Sequence, residues 1–208
     1  MLPPRLRLRQ HVVLLALASS LVVGCTTSLP SQRIEYPARA VTVYTGQFAD
    51  AALVDEILIG KELNLQDSHL LTVAYAERFH EYESIPAQWE WELQAGRHFG
   101  IQDNWELNGL FLLRWVDVYR TDKLRMTAAI GEGLSWASDT PIIEEASRSN
   151  VGATQLLNYL LLEVTFGFVS MPGVDFTFRI HHRSGIFGLF DGVSGGSNVL
   201  AVGLRYGF

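Results

Sequence analysis

A single cysteine, Cys25, occurs in the 208 residues, so no internal disulfide can brace this chain. Charged residues make up only 18%, and their balance is acidic, with a formal net charge of −6. Residues 1–24 hold Arg5, Arg7 and Arg9 and no acid, so without those three arginines the remainder stands at −9. That sign excludes a surface built to track nucleic-acid phosphates. A composition 48% hydrophobic and 11% aromatic excludes a disordered acidic chain. Long apolar runs are missing as well. A helix crossing a bilayer core of about 30 Å needs roughly 20 apolar residues, and the run Val12–Val23 falls short of that. No internal repeat or low-complexity tract is present.

The N-terminus has the layout of an export signal, with a basic stretch followed by a short apolar stretch. The run ends Leu21-Val22-Val23-Gly24-Cys25, which resembles a bacterial lipoprotein box, a small residue followed by the cysteine that is lipidated. The resemblance implies a signal peptide over 1–24, Cys25 as the lipid-bearing mature N-terminus, and a tether over 25–39 rich in Ser, Thr and Pro. Thr26-Thr27 carries no acidic inner-membrane retention signal, which by the same resemblance favours the outer membrane. An ordinary signal peptide cut near Gly24, leaving Cys25 as a thiol, is the alternative.

From residue 40 onward the hydrophobic pattern alternates with a period of two, the mark of a strand with one apolar face. Eight such windows lie near 40–49, 68–79, 87–99, 104–117, 124–137, 155–168, 174–184 and 197–208. Pro37, Pro86, Pro141 and Pro172 fall at their edges or between them, where no ladder donor is needed. Leu200, Val202, Leu204, Tyr206 and Phe208 share one face of the last window, and Trp89, Trp91 and Leu93 oppose Glu90, Glu92 and Gln94 in the third.

Two architectures fit this alternation: a soluble lipid-binding barrel with its apolar face inward, or a membrane barrel with that face outward. Windows of this length suit tilted spans of about 9–11 residues. The ending Leu204-Arg205-Tyr206-Gly207-Phe208 resembles the terminal aromatic strand that outer-membrane barrels present to their assembly machinery. The reading is therefore all-β, an eight-stranded antiparallel transmembrane β-barrel over 40–208 in the bacterial outer membrane. Its lumen is filled by side chains, with Arg114, Arg179 and Arg205 offsetting Glu92, Glu106 and Glu163.

Candidate chemistry lies in Arg179-Ile180-His181-His182-Arg183-Ser184-Gly185. Strand parity puts His182 and Ser184 on the lipid side with Phe176, Phe178 and Ile180. Two residues apart on a strand, they stand about 6.5–7 Å from each other, in position for an imidazole to serve a hydroxyl as general base. Polar groups on a lipid-facing stripe are costly, which marks them as candidates for function; a barrel rim meeting headgroups is the structural reading of the same pair.

His182-x-Ser184 on the penultimate strand of an exported, Phe-terminated eight-stranded barrel resembles the lipid A 3-O-deacylase (PagL-like) family. The resemblance implies an outer-wall site of Ser-His-acid type, with Ser184 as nucleophile and His182 as base, cleaving an acyl ester of lipid A in lipopolysaccharide without cofactor or metal. The family has Asn-Ala-Gly after the serine, where this chain has Gly185-Ile186-Phe187-Gly188. Asp191, the one acid after Ser184, is the default third member; Asn198, on the outward face of the last strand, is the other possible orienter. A non-catalytic structural or interaction barrel with a decayed site is the rival class.

Other features point elsewhere. Gly192-Val193-Ser194-Gly195-Gly196 has the spacing of a nucleophile elbow but no strand-to-helix turn to support it. His181 and His182 face opposite sides and cannot share a metal. Glu132 in Gly131-Glu132-Gly133 has outward parity, and the flanking glycines favour a β-bulge there over a second polar spot near the site. Glu144 and Glu145 follow Pro141 in a loop and are expected to be solvated, and the five tryptophans fit interfacial girdles.

Overall fold

The computed structural model describes residues 36–59, 64–146 and 152–208. The export segment, Cys25 and most of the tether lie outside the described residues. Tyr36, at the tether's end, is buried, and its hydroxyl donates to Asp175 Oδ2 at 3.3 Å.

Eight strands close into one barrel: β1 Arg39–Ala49, β2 Leu65–Glu81, β3 Ala87–Gly100, β4 Trp105–Arg120, β5 Leu124–Ala137, β6 Leu156–Phe168, β7 Val174–Ser184 and β8 Gly196–Gly207. Each pairs antiparallel with its neighbour in sequence, and β1 closes on β8 from Ala40↔Gly207 to Ala49↔Asn198. Closure leaves no unpaired edge, the condition a sheet must meet to sit in lipid. All eight predicted windows are strands. β2 and β4 run longer than the alternation suggested, their extra residues lying beyond register shifts at Gln47/Ala49 opposite the start of β2, at Arg78/His80 near its end and at Trp115/Tyr119 in β4.

The connections 82–86, 121–123 and 169–173 are tight turns at one end of the barrel. Those over 50–64, 138–155 and 185–195 are longer and share the other end with the tight 101–104 turn; this asymmetry marks the second end as the outer one. A π-helical turn, Leu53–Ile57, and a short helix, α1 Ile142–Ala146, lie in these outer connections.

The apolar face is outward, which overturns the soluble-barrel alternative: Phe111, Leu93, Tyr206 and Phe176 are each more than half exposed. Trp105 and Trp136 ring the outer end, and Trp89, Trp91 and Trp115 the inner. Ten residues of β4 separate Trp105 from Trp115, about 33 Å of strand, or about 25 Å of height at a tilt near 40°, the thickness of a lipid-facing band.

The interior is polar and paired. Arg114 meets Glu90 at 2.8 Å and Glu163 at 2.6 Å, Arg179 meets Glu92 at 2.8 Å and Glu163 at 2.5 Å, and Arg205 meets Glu90 at 3.2 Å. The expected partner set needs one correction: Glu106 is held chiefly by two histidines, His98 at 2.8 Å and His181 at 2.7 Å. Two apolar clusters, around Tyr44 and Leu70 and around Leu112 and Tyr159, fill the remaining lumen.

Candidate functional site

On β7 the inward side chains Arg179, His181 and Arg183 are buried, while His182 and Ser184 face out at the outer end and are half-buried. His182 lies opposite Leu160 of β6 on one side and Asn198 of β8 on the other. Its Nδ1 is 2.7 Å from Asn198 Oδ1. The orientation of that amide follows from its other end, because Nδ2 donates to the Ala51 carbonyl at 2.8 Å and leaves Oδ1, an acceptor only, toward the ring. His182 therefore carries its proton on Nδ1, and Nε2 presents a lone pair, the tautomer a general base requires.

Ser184 lies opposite Gly196, one alternate position beyond His182, and its Oγ accepts the Ile186 N–H at 3.3 Å. Beyond it the 185–195 loop folds on itself: Gly185 N–H donates to Gly195 O at 3.0 Å, Gly188 N–H to Val193 O at 2.9 Å and Val193 N–H to Phe190 O at 2.9 Å. The loop holds three non-glycine residues at left-handed φ, Ile186 at 43°, Phe187 at 54° and Asp191 at 51°. For β-branched Ile186 that conformation is strained.

The structure joins His182 to Asn198, sets Ser184 two residues on along the same face of β7, and leaves Asp191 apart. Asp191 is an exposed turn residue with no bond to His182, in a conformation aspartate tolerates. Of the two candidate orienters, Asn198 is the one within hydrogen-bond reach of His182. Asp191 stood out as the one acid after Ser184; the β7–β8 register, which sequence alone does not specify, sets Asn198 opposite His182.

The bulge expected at Glu132 is absent. Register is continuous through Gly131, Glu132 and Gly133 against both β4 and β6. The glycines answer to the lumen instead: a Cβ on Gly131 would come within 2.7 Å of Leu110 Cδ1, and one on Gly133 within 2.6 Å of Leu110 Cα. Glu132 itself is exposed on the outer wall.

Glu144, expected to be solvated, is buried on α1. Its Oε1 accepts Arg183 Nη1 at 2.8 Å and Ser197 Oγ at 2.7 Å, and Arg183 also donates to Gln155 O at 2.9 Å. Arg183 and Ser197 are paired across β7 and β8, adjoining His182, Ser184 and Asn198, so the loop carboxylate braces the strands that carry the site. Burial pushes the Glu144 carboxyl above its ordinary range, with Arg183 pulling the other way. Ser194 forms an isolated β-bridge just before β8, with no helix after it. Among the described residues no group of three or more His, Cys, Asp or Glu is placed to hold a metal ion.

A closed sheet with an apolar exterior, aromatic girdles and a paired ionic lumen defines an eight-stranded transmembrane barrel of the bacterial outer-membrane class. Among solved structures, the fold is similar to the outer membrane enzyme PagL, with a TM-score of 0.58 at 12% identity over 81% of this chain and 99% of that one. Neisserial surface protein A matches at TM-score 0.49 and 10% identity over 82% and 96% of the two chains. Ail, the attachment invasion locus protein of Yersinia pestis, matches at 0.30 and 11% over 83% and 100%. The sequence matches no protein-family model and no curated protein.

Proposed function

We propose that this barrel is a lipid A 3-O-deacylase-like ester hydrolase that removes an acyl chain from lipopolysaccharide at the outer leaflet. The observation that supports it is the His182 Nδ1 to Asn198 Oδ1 bond, which leaves Nε2 basic on a lipid-facing wall one alternate position from Ser184. Ser184 Oγ attacks the ester carbonyl while His182 Nε2 takes its proton. The Ile186 N–H, already directed at Oγ, lies beside the developing oxyanion. Collapse breaks the C–O bond of the ester, and the imidazolium returns its proton to the departing sugar oxygen. Water, deprotonated by the same nitrogen, then frees the fatty acid from Ser184. Asn198 does the orienting part of a triad acid's work without its charge, so imidazolium stabilisation is weaker than an aspartate or glutamate would supply. Export with lipid attachment at Cys25 belongs to the same proposal and is checked by the acyl mass on the mature N-terminus.

The test is refolded barrel in detergent with purified lipid A, with released fatty acid read by mass spectrometry. Release that disappears in Ser184→Ala and His182→Ala supports the hydrolase. No release from folded wild type across several lipid A and phospholipid substrates assigns the chain to the non-catalytic barrels instead.

A further inference from the structure

Glu132 is a carboxylate in the middle of the lipid-facing wall. Ile130 and Leu134 flank it along β5, Phe111 and Leu160 lie opposite it on the neighbouring strands, and the first two and Phe111 are exposed apolar side chains. Among the described residues it has no hydrogen-bond or ion-pair partner. With the strand regular and the glycines explained by the lumen, nothing structural calls for an acid here. An unpartnered carboxylate in this band is costly.

Its position relates it to the site. Phe111, Glu132, Leu160, His182 and Asn198 form one continuous row of paired residues around the wall. Phe111 is six residues from the outer end of β4, Glu132 five from that of β5, Leu160 four from that of β6, and His182 two from that of β7, so the row climbs from mid-wall to the outer mouth. Two strand spacings put Glu132 about 9–10 Å from His182 along the wall. A three-bond side chain covers about 4 Å of that. Glu132 and His182 make no direct pair, and the space between them suits a few atoms of an acyl chain running inward from an ester at Ser184.

We propose that Glu132 is a specificity-determining acceptor: it takes a hydrogen bond from a donor, hydroxyl or amide N–H, carried near the ester on the lipid bound at the His182–Ser184 site. Hydrocarbon chains offer such an acceptor nothing, so the carboxylate distinguishes donor-bearing acyl lipids from plain ones. This rests on the hydrolase reading for where the ester lies, but it concerns binding and is measured without turnover.

The experiment uses the refolded Ser184→Ala barrel and native mass spectrometry of retained lipid. Three probes share one headgroup: a plain acyl ester, a 3-hydroxyacyl ester and an amide-linked plain chain. Retention of the hydroxylated probe, the amide probe or both should exceed that of the plain ester by roughly 10- to 100-fold, as a charge-assisted hydrogen bond supplies, and which probe gains names the donor. Glu132→Leu should erase the preference, while Glu132→Gln, which keeps a carbonyl acceptor, should keep part of it; heat-modified electrophoretic mobility confirms that each variant is folded. Equal retention of all three probes, or a preference that survives Glu132→Leu, overturns the inference. So does a dimer lost in Glu132→Leu, which would give the carboxylate to a second copy. Failure of wild type to release fatty acid is a separate result and bears on the hydrolase alone.

Discussion

Neighbouring residues of β7 live in opposite chemistries. Inside, Arg179, His181 and Arg183 each meet at least one buried carboxylate and are closed off from solvent and lipid. Outside, among the described residues, His182 has one side-chain partner, Asn198, and Ser184 accepts one backbone N–H. Alternation thus divides the strand's labour: the inner set holds the cylinder together, and the outer set is left under-bonded and available to a ligand. The lumen's charges come in pairs, whereas on the wall Glu132 has no such partner among the described residues.

The sharpest break of this contrast is on the outer side. Ser184→Ala should lower fatty-acid release on the order of 10³- to 10⁴-fold with no change in the urea midpoint, measured side by side on refolded protein. An inner substitution should do the reverse. Arg179→Leu strips the buried guanidinium from Glu92 and Glu163, and removing one partner of such a network costs about 3–5 kcal/mol, read as a lower urea midpoint or as failure to refold.

A milder change sharpens the comparison at its boundary. Asn198→Asp places a charge against His182 and should raise release by up to about 10-fold, equivalent to one pKa unit of imidazolium stabilisation. It also deprives the Ala51 carbonyl of its donor, for about 1 kcal/mol of stability. Asp191→Ala, in the exposed turn, should change neither reading; a loss of release there would return Asp191 to the site.

The smallest effect concerns the brace above the site. Because the docked Glu144 carboxyl binds its proton more tightly than an undocked one would, docking of α1 is favoured at low pH. That gain is lost as pH rises through the raised value. Proteolysis of the 138–155 connection should therefore slow as pH falls through the mildly acidic range, and Glu144→Gln should flatten the dependence.

Much of this was legible in the alternation, since a period-two pattern names both the strand and its two faces. The positions of all eight strands and the shared face of His182, Ser184 and the apolar residues follow from it, whereas the outward direction of that face was read from strand length and the terminal aromatic strand. What was misread turned on register and closure. Asp191 was nearer in sequence than Asn198, yet the 185–195 loop spends its backbone bonds on itself and carries Asp191 to a turn. Gly131 and Gly133 suggested a bulge because a sequence does not show Leu110 and Leu112 crowding them from the next strand.

The sequence by itself determined eight strands of alternating faces with His182 and Ser184 on the apolar one, because strand periodicity is local and survives without knowledge of neighbours. Only the tertiary structure decided which groups meet. The stagger of eight closed strands gave His182 to Asn198, Glu106 to two histidines, Glu144 to Arg183, and set Glu132 on the site's own row. Those pairings depend on the register between strands, and register depends on closure of the whole ring.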